Sequence, residues 1–182
     1  MKPVGYLWNT KYGLEGEAGS FYNYIVAANG IFVRAESKHI EATVCVAGSN
    51  VRGLAPLQEE VHLVHGKIPE HLYDLALLLF SGDPSHEHYL AVTWDGQYKV
   101  SHPVQDISGG GVSYEVAEGA VLDIHSHGMM GAWFSGIDNA DELGLKLYGV
   151  VGKVHSMLPE SLWRVGIYGY FYPLEIWDIF DV

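Results

Sequence analysis

One cysteine, Cys45, in a chain of 182 residues excludes an intrachain disulfide and any thiolate cage for a metal. Flanked by apolar residues, Cys45 is expected to pack as a small hydrophobe. Cations are also scarce. Lys and Arg number 10 against 22 Asp and Glu, a formal net charge of -12. A duplex-binding protein presents a basic face, and the few cations here are scattered along the chain, so nucleic acid is not expected as a partner. Long apolar runs are missing too. The longest covers Leu75 to Phe80, whereas a membrane-spanning helix needs about 20 residues. The start, Met1 to Tyr6, lacks the apolar stretch of a signal peptide. These absences lead us to expect a soluble, cytoplasmic protein with no membrane partner. With 48% hydrophobic and 18% charged residues the chain is not a disordered one.

The pattern along the chain predicts an α+β or mixed α/β fold. Phe21–Ala27 and Ile31–Glu36 flank Ala28-Asn29-Gly30, a hairpin signal in which Asn and Gly supply positive φ. With Ile40–Val46 they predict a β-meander, and residues 1–57 read as a β-rich extension ending in the turn-rich stretch through Pro56. Residues 1–20 show little periodicity. Pro69 stands where a first helical turn belongs, and Leu72, Leu75, Ala76, Leu79 and Phe80 follow as an apolar stripe. Gly82 and Pro84 close that helix. His88–Trp94 reads as a strand, Asp95-Gly96 as a turn and Gln97–Val100 as the partner strand. Gly109-Gly110-Gly111 reads as a loop, Val112–Val116 and Val121–His125 as strands. Asp138–Leu147 reads as a helix with Leu143 and Leu147 on one face. Tyr148–Val154, Trp163–Tyr170 and Leu174–Phe180 read as strands.

Ten histidines point toward chemistry. His125 and His127 stand two apart at a strand end, where period two puts both imidazoles on one face. Asp138 follows at a predicted helix start. Two imidazoles and a carboxylate leave the fourth position of a tetrahedral Zn²⁺ open for water, the pattern of catalytic sites. Two plainer readings stand beside this one. His-x-His on a strand can be two partly exposed polar residues, and Ser135-x-x-Asp138 is close to a capping box.

His125-Ser-His127, seven residues, then Ser135-x-x-Asp138 resembles the signature of the JAMM (JAB/MPN) metalloprotease family. The likeness covers roughly residues 60–182, and the chain as a whole is similar to the PRTRC system A group of that family, whose members are encoded beside relatives of ubiquitin-activating and ubiquitin-conjugating enzymes. The resemblance implies a cytidine-deaminase-like sheet flanked by helices, making residues 58–182 the catalytic domain. It implies that His125, His127 and Asp138 bind zinc, that Ser135 helps hold a tetrahedral intermediate, and that an upstream glutamate is the general base. Glu87, just after the first helix, fits that place. Glu115 and Glu118 are the alternatives, with Glu59, Glu60 and Glu70 further off. The implied reaction is hydrolysis of a peptide or isopeptide bond in a protein or peptide substrate, including ubiquitin-like proteins. The other reading is a non-catalytic interaction module on the same fold. One departure is plain: the family usually has Pro after the second His, and here Gly128 stands there, followed by the apolar Met129-Met130-Gly131-Ala132-Trp133-Phe134.

His86 and His88 form a second His-x-His around Glu87. On a strand they would face away from Glu87. His62 and His65 read as surface or packing residues. Trp163, Tyr168, Tyr170, Phe171 and Tyr172 read as mostly core. No His-Glu-x-x-His, Pro-Cys-x-x-Cys or glycine-rich phosphate loop is present.

Overall fold

Period-two alternation recurs through most of the chain, and strands make up most of the fold. The computed structural model describes residues 2–103, 105–108, 111–114 and 119–182, with the backbone alone between 104 and 118. β1 (Val4–Thr10), β2 (Gly13–Glu17), β3 (Tyr22–Ala27), β4 (Gly30–Glu36), β5 (Ile40–Gly48) and β6 (Glu60–Leu63) form a six-stranded sheet in the order β2-β1-β3-β4-β5-β6. All neighbours are antiparallel except β1 and β3. β7 (Ile68–Pro69) leads into α1 (Glu70–Ser81). Then come β8 (Tyr89–Trp94), β9 (Tyr98–Ser101), a separate hairpin of β10 (Gln105–Ser108) and β11 (Gly111–Tyr114), and β12 (Ala120–Ser126). α2 (Gly136–Asp141) precedes β13 (Leu145–Gly152), β14 (Glu160–Ile167) and β15 (Tyr170–Leu174). The second six-stranded sheet runs β15-β14-β13-β12-β8-β9, with β12 and β13 parallel. α3 (Ile176–Ile179) ends in β16 (Phe180–Asp181), which pairs with β7.

The fold is therefore mainly β with few and short helices, and the expected sheet flanked by helices is corrected. The three helices have 12, 6 and 4 residues. The first sheet occupies much of the place that helices would take. Leu90, Leu122, Ile124 and Val165 of the second sheet share one apolar cluster with Val33, Ala35 and Val44 of the first and with Leu72, Ala76 and Phe80 of α1. Helix α1 is where the stripe predicts it, with Pro69 directly before it. Its stripe is wider than its buried side, since Leu75 and Leu79 remain 39% and 40% exposed.

The β3–β4 hairpin forms as expected, but its turn is Ala28-Asn29. Ala27 pairs with Gly30, whose φ of 159° is close to extended. Asn29 spends its side chain on Leu57, donating to its carbonyl and accepting from its amide, each at 2.9 Å. Residues 1–20 hold the β1–β2 hairpin, and the parallel β1–β3 pair means that only β3 to β6 form a meander.

Three further expectations are corrected. The helix over Asp138–Leu147 stops at Asp141, because Gly144 turns the chain at φ +91° and β13 pairs with β14 from Leu145 and with β12 from Leu147. Leu143 is exposed while Leu147 is buried. The strand over Trp163–Tyr170 is broken by Tyr168 and Gly169, both at positive φ, into the β14–β15 hairpin. The strand over Leu174–Phe180 is mostly α3, whose start is held by the Glu175 amide donating to Asp178 at 2.8 Å. The Gly109-Gly110-Gly111 loop and the strand end at Glu115 and Val116 lie largely outside the described residues.

The two sheets also meet at a histidine pair. His39, in the β4–β5 turn and 7% exposed, lies with Nδ1 3.1 Å from Nε2 of His65. The His65 ring stacks flat on Trp94 of β8 with centroids 4.1 Å apart. Burial, then Lys38 and His65, hold the His39 pKa below its ordinary 6.5. The unfolded chain therefore binds a proton there more readily, and this part of the stability is lost as pH falls below about 6.5. Urea unfolding at pH 7.5 and 5.5 should show wild-type stability falling in acid and a smaller fall in His39→Phe; equal falls would remove His39 from the acid response.

Candidate metal centre

The two faces of β12 do different work. Leu122 and Ile124 point into the apolar cluster, while Asp123 and His125 point to the opposite face. Asp123 is buried and accepts from the Tyr89 hydroxyl at 2.7 Å and the Lys146 ammonium at 2.9 Å, so its charge is paired. His125 follows two residues later. His127, just past the strand end, donates its amide to Val151 of β13 at 2.8 Å. The two Nε2 atoms lie 3.3 Å apart, and Asp138 Oδ1 lies 3.5 Å from that of His125. Ligand atoms of all three residues fall within 4.8 Å of one another, and this His-His-Asp group could hold a metal ion.

The surroundings suit that role. His127 Nδ1 lies 3.2 Å from the Gly131 carbonyl, and an N–H donated there turns the Nε2 lone pair toward the group. Burial brings the His125 pKa down to about 4, although the Asp138 charge pulls the other way. Burial pushes the Asp138 carboxyl up, but the Ser135 hydrogen bonds and the two imidazoles outweigh it and hold it low. The donors are thus two imidazole nitrogens, that of His125 kept from protonation by its burial, and a carboxylate.

Ser135 and Asp138 show that the capping box and the ligand role are compatible. Ser135 Oγ accepts from the Asp138 amide at 3.2 Å, and Asp138 Oδ2 accepts from the Ser135 amide at 2.5 Å. The box consumes Oδ2 and leaves Oδ1 turned toward His125.

No residue of α2 is buried, so no apolar face anchors it. Arg164 of β14 holds it instead. Its guanidinium lies between the rings of Phe134 and Phe171, 3.6 and 3.9 Å from their centroids. Nε donates to Glu142 at 2.7 Å and Nη1 to Asn139 at 2.8 Å, while Nη2 lies against the same Glu142 carboxylate without hydrogen-bond geometry. Burial raises the Glu142 carboxyl to about 7, with Arg164 offsetting only part of that. The sequence offered one signal for this residue: a lone arginine inside the apolar run Trp163–Ile167.

Gly128 has a backbone reason to be glycine. Its φ is +56°, outside proline's range, and a Cβ there would stand 2.5 Å from the Pro84 carbonyl oxygen. This contact brings the segment before β8 against the loop after His127. Ser126 continues it, accepting at Oγ from the His88 amide (3.0 Å) and donating its own amide to the His88 carbonyl (2.8 Å). Glu87 is half-buried in this segment and lies outside the three-residue group. His86 and His88 are not on a strand; both turn to Asp83, with His86 Nδ1 2.9 Å and His88 Nε2 3.3 Å from its Oδ2. Glu115 and Glu118 lie outside the described residues. Elsewhere, Cys45 is half-buried beside the Leu7, Ile25 and Phe32 cluster. His62 is exposed and His65 packs on Trp94, as expected.

Comparison with protein-family models and with curated proteins gives no match. Among the described residues no helix is long and apolar enough to cross a membrane.

Two substitutions test this construction by urea denaturation. Arg164→Ala leaves Glu142 buried without its partner and should lower stability by about 3–5 kcal/mol. Gly128→Ala should lower it by about 1–3 kcal/mol through the left-handed backbone and the contact with Pro84. Losses below about 0.5 kcal/mol, usual for surface changes, would mean that neither contact holds the loop.

Proposed function

We propose that the chain is a zinc-dependent metallopeptidase or isopeptidase of JAMM type. The observation that carries the reading is the convergence of His125, His127 and Asp138, three donors of nitrogen and oxygen type, within 4.8 Å. Such a set suits Zn²⁺ and leaves a position open. When bound, zinc supplies an acidified water with a pKa of about 7.

The chain's own residues do the rest. His125 and His127 offer Nε2, and Asp138 contributes Oδ1 while the capping box fixes Oδ2. Glu87 is the general base: its carboxylate takes the proton from the attacking water and delivers it to the leaving amine. What supports Glu87 is register. His125 is paired with Tyr89, and the Ser126–His88 hydrogen bonds continue the same antiparallel ladder. The next pair would set Glu87 level with His127, on the face that carries His125. The Ser135 hydroxyl, which accepts from Asp138, keeps its own proton to donate to the developing oxyanion. A ubiquitin-like substrate rests on the family resemblance alone.

Elemental analysis of untagged protein is the test. Wild type should carry about one zinc per chain after reconstitution, the single-site stoichiometry of a catalytic centre, and His127→Ala should carry none. Glu87→Gln should keep its zinc and lose about 100-fold or more in peptide-hydrolysis rate. A wild type that takes up no zinc sinks the reading and favours a non-catalytic interaction module. A fully active Glu87→Gln removes Glu87 as the base.

A further inference from the structure

The chain has four methionines. The three beyond Met1, namely Met129, Met130 and Met157, are 62%, 50% and 99% exposed, and the buried core holds none. Methionine ordinarily fills gaps in cores; here it gathers beside the metal-holding group. Met129 and Met130 follow His127 almost directly. Trp133, 44% exposed, sets its ring edge-on to His127 with centroids 4.2 Å apart. Leu162, 46% exposed, shares a sheet row with His125 through Val150, two strand spacings or about 10 Å away.

The turn that carries Met157 and Leu158 is tied to the methionine loop. Lys153 donates its amide to Met130 at 2.6 Å, and Val154 donates to Gly128 at 3.0 Å. A Cβ on Gly152 would overlap the backbone of Gly131 and Ala132, so the two segments touch main chain to main chain. Apolar side chains thus stand on a connected backbone frame around the metal-holding group. Single exposed apolar residues are ordinary, but a continuous set at a functional group marks a binding surface. The two formal charges in this frame, Lys153 and Glu160, pair with each other at 2.5 Å. That leaves apolar contact as its main means of recognition.

We propose that this rim binds an extended polypeptide segment with bulky apolar side chains flanking the bond presented to the metal-holding group. Three unbranched thioethers adapt to different partners, so the rim selects a class of apolar segments and not one sequence. That the occupant is a polypeptide rests on the hydrolytic reading; its apolar character rests on the rim itself.

Methyl-¹³C-methionine labelling gives a direct test, with one methyl signal per methionine. Zinc-reconstituted protein is titrated with two synthetic peptides of equal length, one with Leu, Met and Phe around its centre and one with Ser, Gln and Asn. The apolar peptide should shift the Met129, Met130 and Met157 signals and bind about tenfold tighter than the polar one, as burial of a few methylene groups gives. In M129S/M130S that advantage should shrink to about threefold or less. Equal affinities, or unmoved methionine signals, overturn the proposal. Mass spectrometry of the same samples separates the two readings. Apolar binding without cleavage upholds the rim and sinks the peptidase, whereas equal cleavage of both peptides overturns the rim and keeps the peptidase.

Discussion

The guanidinium of Arg164 is the contact on which the metal-holding group depends. A helix of six residues does not form alone in water, and α2 brings no buried residue to the sheet. What holds it is one buried cation, flat between Phe134 and Phe171 and bonded to Asn139 and Glu142. These partners bracket Ser135 and Asp138 on both sides. The histidines take their positions from a β-ladder; the carboxylate takes its position from an ion pair. Two different kinds of force therefore meet within a few ångströms, and the weaker scaffold is on the carboxylate side.

The second sheet is divided between its two faces. One face is apolar and closes the core against the first sheet and α1. The other carries Asp123, His125, Lys146 and Arg164, each with a named partner. A polar row on a buried face is tolerated only when its groups satisfy one another. That requirement explains why Tyr89, buried in β8, gives its hydroxyl to Asp123. The backbone is equally constrained, because the loop after His127 runs against Pro84 on one side and Gly152 on the other.

Much of this was legible in the sequence, in proportion to how local the cause is. Helix α1, the β3–β4 and β8–β9 hairpins and the strand ending at His125 follow from periodicity and turn residues within short windows. The nearness of His125 and His127 was legible from spacing, while Asp138 joined them only through the likeness to the JAMM signature. What the sequence hid depends on distant partners. Leu145–Leu147 reads as the end of a helix until β14 claims all of it and β12 claims Leu147 from the other side. Tyr168-Gly169 carries a turn that only its positive φ values reveal. Arg164 shows in the sequence only as a lone cation in an apolar run, since Phe134, Asn139 and Glu142 lie 22 to 30 residues earlier and Phe171 sits across the β14–β15 hairpin. Asn29 looks like a positive-φ turn residue and instead pins Leu57.

Confining the internal methionines to one surface has a chemical consequence for how the protein ages. Peroxide turns thioethers into sulfoxides, which are polar and chiral, and it reaches exposed ones first. In most proteins some of that damage falls on the core and unfolds it. Among the described residues the core has no thioether to lose, so oxidation there would spare the melting temperature and the His-His-Asp group while turning the rim beside it hydrophilic. Methionine sulfoxide reductases reverse that change, so redox conditions can erase and restore this surface without refolding the protein.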